Sequence, residues 1–145
     1  MARMFAIGSI ALLLGTASAW ARDTMLDLAV ADALASPAAA LRKDVALYMA
    51  GQKHPKLVRS IGEWKANRRT NAVNKSDAEA CAIAYLSAVA SLQERARKEG
   101  GNAVIEIRSI TRNDELSSAT QYRCAAGAVI ANVALKGTVV VLAGR

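Results

Sequence analysis

The chain has 145 residues, is 53% hydrophobic but only 4% aromatic, and carries a formal net charge of +7. That length accommodates one domain and excludes two with separate cores, and a single Phe leaves Ala, Val, Leu and Ile to fill the interior. With His54 the sole histidine and only two cysteines, the composition argues against a zinc cage, which needs three or four such ligands close together.

The N-terminus has the three parts of a secretory signal peptide: Arg3 as the positive end, an uncharged apolar stretch over residues 5–14, and two small-residue sites, Ala17-Ser18-Ala19 and Ala19-Trp20-Ala21. Residues 1–21 are therefore expected to be removed after Ala19 or Ala21. The uncharged run over 4–21 is 18 residues long and interrupted by Gly and Ser, whereas a spanning helix wants about 20 predominantly apolar residues. No transmembrane segment is expected after processing, and the product is expected in the periplasm or outside the cell. Arg3 accounts for one positive charge, so residues 22–145 carry +6.

Residues 24–30 alternate, with Leu26, Leu28 and Val30 on one face and Asp27 on the other, and predict a strand. Ser36-Pro37 reads as an N-cap and first helical position, opening a short helix through 38–42. Residues 44–49 alternate again through Val45, Leu47 and Met49 and predict a second strand, followed by a turn at 51–55. Residues 57–70 fit either a bent strand or an irregular arm.

Ser76-Asp77-Ala78-Glu79 is a capping box and opens the clearest helix, over 77–98. Cys81, Tyr85, Ala88, Val89, Leu92 and Ala96 recur at three- and four-residue spacing as its buried stripe. Glu79, Ser87, Ser91, Glu94, Arg97 and Lys98 face away, with Glu94 and Lys98 in the favourable order for an ion pair. Gly100-Gly101 ends the helix. Residues 102–110 predict a strand with Ala103, Ile105 and Ile107 inward and Glu106 and Arg108 outward. A polar hairpin loop is expected over 111–118, then a β-rich tail over 119–142 in which Gly127 and Gly137 mark bulges or a break. The whole of 22–145 is thus expected to be one α+β domain, a long amphipathic helix packed on a mainly antiparallel sheet.

Cys81 falls on the buried stripe of the helix, and Cys124 on the inward face of the tail, since Gln121 and Arg123 point out. An exported chain meets oxidising conditions, so the pair is expected to bridge helix to sheet rather than remain as two thiols.

Chemistry-bearing motifs are sparse. His54 has no nearby carboxylate or cysteine, there is no Gly-x-Ser-x-Gly elbow, and no phosphate loop of the Gly-x-x-x-x-Gly-Lys type is present. Gly100-Gly101 follows a helix and precedes a strand, the reverse of a phosphate-binding loop. The cysteines are not in a Cys-x-x-Cys motif. No catalytic residue, metal or cofactor is assigned. The positive charge is concentrated in residues 53–75, where Lys53, Lys56, Arg59, Lys65, Arg68, Arg69 and Lys75 face one acid, Glu63, with Trp64 among them. This basic arm is the candidate contact surface. A solvated loop is its plain alternative. Outside the cytoplasm its partners would be anionic envelope components or an acidic protein, not nucleic acid.

The run from Cys81 through Tyr85-Leu86 and Leu92-Gln93-Glu94-Arg95-Ala96 to Gly100-Gly101-Asn102-Ala103-Val104, with Tyr122-Arg123-Cys124 and Val133-Ala134-Leu135-Lys136-Gly137, resembles a group of small exported bacterial proteins often labelled "excinuclease ATPase subunit". Asn71-Ala72-Val73-Asn74-Lys75-Ser76-Asp77 belongs to the same resemblance. More remotely, the stretch over 77–141 looks like the α+β domains of the YbjQ and RcsF families. The label does not fit a chain with an export signal and no phosphate loop. The RcsF likeness implies an envelope-stress role with structural disulfides, although a lipid-attachment cysteine is absent. The YbjQ likeness implies that a homo-oligomer can form. The sequence is therefore expected to encode a non-enzymatic, envelope-associated binding domain, with an enzyme of unrecognised type or a redox-responsive sensor as the alternatives.

Overall fold

The alternation of Leu26 and Leu28 with Asp27 builds the first strand, β1 (Asp23–Ala29), and the backbone then turns at once into a short helix, α1 (Val30–Leu34). A computed structural model describes residues 22–145. The expected signal peptide and its cleavage sites lie outside the described residues. The helix expected over 38–42 does not form. Ser36 uses its hydroxyl to accept from the Ala38 amide, 3.2 Å away, which closes a turn instead of capping a helix. Serine serves both purposes, and here the local turn takes the hydroxyl.

The remaining elements are β2 (Ala46–Met49), β3 (Leu57–Asn71), α2 (Asp77–Lys98), β4 (Ala103–Ser109), a 3-10 turn (Thr111–Asn113), β5 (Gln121–Gly127) and β6 (Ile130–Leu142). They form a mainly antiparallel six-stranded sheet with α2 packed on one face, an α+β domain. β6 is its spine. One edge of β6 pairs with β3 along its whole length, and the other pairs first with β5 and then with β4. β1 extends the β5 side, and β2 joins β4 in parallel.

The capping box forms in half. The Ser76 hydroxyl accepts from the Glu79 amide at 3.1 Å, while Asp77 in the first turn is clasped by Arg22 at 2.8 Å. Every residue of the expected helical stripe is buried. The pair that closes on the last turns is Arg95–Glu99, at 3.3 Å, in place of Glu94–Lys98. Gly100, at φ +80°, ends the helix in the left-handed conformation that glycine adopts most cheaply. Cys81 and Cys124 are joined, with Cα atoms 5.9 Å apart and no exposed surface, so the disulfide fastens α2 to β5 through the core.

Two expectations for the second half of the chain need correction. First, β4 does not keep one inward set. Glu106 adopts φ +53°, and the register against β6 shifts between Ile105 and Arg108. This bulge inserts a residue and reverses the alternation. Val104 and Ile107 therefore join the core under α2, while Ala103 and Ile105 join Val140 and Leu142 in a smaller cluster with Ala46 and Tyr48. Second, residues 111–118 do not join two strands paired with each other, because β4 and β5 lie in succession along the same edge of β6; the segment folds back only through an isolated antiparallel bridge of Ser109 with Leu116. Hydroxyl groups complete the backbone pairing at the junction. Ser109 Oγ accepts from the Arg123 amide at 2.8 Å, and Thr111 Oγ1 donates to the Arg123 carbonyl at 2.8 Å and accepts from the Ala134 amide at 3.0 Å. The tail divides at residues 128–129, just after Gly127. Gly137 stays inside β6, where an added Cβ would lie 2.6 Å from Val104 Cγ1.

Candidate functional site

β3 resolves the ambiguity over residues 57–70 in favour of a strand. Its alternation is weak in sequence because it is an edge strand, with charged residues on both faces and only Ala66 fully buried. Register shifts occur near its start, after Leu57 and after Ser60, while residues 62–71 follow β6 without interruption. Trp64, Ala66 and Arg68 lie on the face under α2, opposite Gly137, Leu135 and Val133. Glu63, the one acid of the strand, bonds Arg108 at 3.1 Å and Lys136 at 3.4 Å. Against a desolvation that raises its pKa, these two cations hold the Glu63 carboxyl below the usual range. It is thus already engaged with partners outside the strand.

Between β3 and α2 lies a polar groove of about 260 Å³. Trp64, Lys65 and Arg68 line it from the strand. Ser91, Leu92, Glu94, Arg95 and Lys98 line it from the helix. Arg68 Nη2 donates to Ser91 Oγ at 2.9 Å, which ties strand to helix. The Arg95 guanidinium stands 5.8 Å from the Trp64 ring centroid, within the range of a cation–π contact. Four cations and one carboxylate border the groove, so its field favours anions. Arg95 and Lys98 also suit the last turn of α2, where the helix dipole favours positive charge.

The basic arm is therefore not one patch. Trp64, Lys65 and Arg68 come together at the groove. Arg69 lines a separate hollow with Thr70, Asn71, Val73, Val129 and Ile130. Arg59 lies in the irregular start of β3, Lys53 and Lys56 in the connection before it, and Lys75 between β3 and α2. The helix contributes residues that no sequence motif marks: Arg95, and Ser91, Glu94 and Lys98 of the expected outward face. Their spacing of three and four residues places them on one side of α2, which was a usable signal. It could not show that β3 lies beside that side.

A second hollow, of about 220 Å³, lies between α1 and the start of α2. Leu28, Ala33 and Ala82 contribute apolar wall, and Asp32, Glu79 and Tyr122 contribute polar groups. Burial, and after it the Asp32 carboxylate, push the Tyr122 hydroxyl up to about 12. No side-chain hydrogen bond joins Asp32, Glu79 and Tyr122 to one another. His54 lies away from both hollows, its Nδ1 2.8 Å from the Pro55 carbonyl oxygen and its ring edge-on to Tyr48. Among the described residues no three His, Cys, Asp or Glu side chains converge as a metal site would require, and no helix is long and apolar enough to cross a membrane.

No protein-family profile, characterised protein or solved structure matches this chain.

Proposed function

We propose that the chain is an exported, periplasmic, non-enzymatic binding domain that holds anionic groups in the groove between β3 and α2. The observation that carries this reading is the convergence of Lys65, Arg68, Arg95 and Lys98 beside Trp64, from two elements held in place by the Arg68–Ser91 bond. Its ligands belong to the anionic material of the envelope, with phosphate or carboxylate groups as the recognised chemistry. The disulfide suits an oxidising compartment, and the signal-like N-terminus and the resemblance to exported proteins point the same way. A role as an excinuclease ATPase has no support in a chain without a phosphate loop. Full burial of both cysteines favours a structural bridge over a redox switch.

The enzyme reading draws on one specific feature, the grouping of Asp32, Glu79 and Tyr122 at the second hollow. It is the lesser reading because these groups are not arranged in mutual hydrogen bonds.

The test is retention of the exported protein on immobilised polyphosphate across a salt gradient. Arg68→Glu with Arg95→Glu is expected to elute at much lower salt than wild type, while Lys53→Glu with Lys56→Glu, of equal charge change but outside the groove, shifts much less. Equal shifts for the two variants would overturn the assignment of binding to the groove.

A further inference from the structure

β3 is bonded to β6 along one edge only. Over residues 62–71 its pairing is regular, and among the described residues no strand occupies its other edge. A regular edge of that length, about 33 Å at the rise of a strand, offers unpaired backbone donors and acceptors in register. The groove lies between this strand and α2. An edge strand flanked by a helix is the arrangement in which an extended peptide adds one more strand, its backbone giving affinity and its alternate side chains giving selectivity.

We propose that the groove receives an extended acidic peptide segment that pairs with the outer edge of β3. This inference rests on the anion-binding reading and names the partner class for the same site. Charge decides between the occupants. The strand carries Arg59, Lys65, Arg68 and Arg69, and its one acid, Glu63, is held by Arg108 and Lys136. A second copy pairing through the same edge would set cations against cations, and directly opposed like charges destabilise a strand pair. A neutral strand would leave those cations without partners. A segment with Asp or Glu at alternate positions turns those carboxylates to one face, toward Arg68, Arg95 and Lys98 beside α2. The same basic side chains that deter indiscriminate edge pairing thus select an acidic partner.

The probe is a capped ten-residue peptide alternating Glu and Val, titrated into the isotopically labelled exported protein. A Lys/Val peptide and a Glu/Val peptide N-methylated at alternate residues serve as comparisons. The Glu/Val peptide is expected to bind and to slow amide hydrogen exchange within residues 62–71 at least tenfold. N-methylation, which removes backbone donors while keeping every carboxylate, is expected to weaken binding at least tenfold, and the Lys/Val peptide is expected not to bind. Arg68→Glu with Arg95→Glu is expected to abolish binding, and Arg68→Gln with Arg95→Gln replaces it if circular dichroism shows the reversal variant unfolded. Strand addition is overturned if the Glu/Val peptide fails to bind, if it binds without protecting β3, or if the N-methylated peptide binds equally well. Pairing of β3 with a second copy in place of the peptide also overturns it. Polyphosphate retention separates the two proposals: if it still depends on Arg68 and Arg95 while the peptide fails, only strand addition falls.

Discussion

Tyr85 and Tyr122 stack with ring centroids 4.3 Å apart, beside the disulfide that joins Cys81 to Cys124. The two pairs share one geometry. Tyr85 follows Cys81 by one helical turn, and Tyr122 precedes Cys124 by two strand positions, so helix and strand present a cysteine and a tyrosine to each other in the same order. In a core with so few aromatic residues, this is where α2 is fastened to the sheet.

Removing the disulfide is expected to be the most damaging conservative change. The bridge closes a separation of 43 residues, and the chain-entropy relation assigns such a loop about 4 kcal/mol. That is a large part of the roughly 5–15 kcal/mol typical of a whole domain. Cys81→Ala with Cys124→Ala should lower the free energy of unfolding by about that amount, measured by urea denaturation. Because both sulfurs are buried, mild reductant should leave the native wild type oxidised. Rapid reduction without unfolding, read by thiol labelling and mass spectrometry, would return the redox-sensor reading to consideration.

Gln93 is a buried amide on the helical stripe and anchors a stretch with no regular structure. Its Nε2 donates to the Arg42 carbonyl at 2.9 Å and to the Val45 carbonyl at 2.8 Å, and its Oε1 accepts from the Arg42 amide at 3.2 Å. Gln93→Ala strands these backbone groups and should cost about 1–3 kcal/mol. Faster exchange of the Arg42 amide should accompany the loss, and unchanged exchange there would show that the anchor is dispensable.

Gly137 lies opposite Trp64 in the β3–β6 pair. A Cβ there would sit 2.6 Å from Val104 Cγ1 and 3.2 Å from Ile107 Cγ1. Gly137→Ala should therefore destabilise by about 1–3 kcal/mol through overpacking. The shift of β6 should also disturb Trp64, so a change in tryptophan fluorescence is expected beyond the change in denaturation midpoint.

The pH dependence has a definite sign at each end. A hydrogen bond from Arg123 holds the Asp27 carboxyl below its ordinary range, against desolvation that raises it. A carboxyl with a lowered folded pKa binds more protons when unfolded, so its contribution is complete above the ordinary value of about 3.9 and fades as pH falls through the folded value. Urea midpoints should drop on acidification below about pH 4, less steeply in Asp27→Asn. At alkaline pH, burial raises the hydroxyls of both Tyr85 and Tyr122. Their folded values exceed the ordinary value of about 10, so stability is full below pH 10 and falls above it. Ultraviolet titration should show both hydroxyls ionising above that value or only with alkaline unfolding.

Much of α2 was legible locally. Ser76 as cap, the stripe from Cys81 to Ala96, and the glycine stop each depend on residues within one or two turns. The inward face of β5 was equally plain, because Gln121 and Arg123 alternate with Tyr122 and Cys124. The groove was only half legible, since Trp64, Lys65 and Arg68 stand out in a basic run while Ser91 and Arg95 look like an ordinary solvent-facing helix side. The alternation in β4 misled because the bulge at Glu106 reverses the faces while both remain buried.

By itself, the amino-acid sequence determined the apolar face of the long helix, its two ends and the meeting of its cysteine with a strand cysteine. Those features follow from periodicity and backbone preference within single segments. Tertiary structure decided that β6 is the spine, that β4 and β5 share one of its edges, and that β3 has an edge beside the basic side of α2 that no other described strand pairs. Such choices depend on which segments exclude water together across long separations in the chain, and no local period encodes the identity of a distant neighbour.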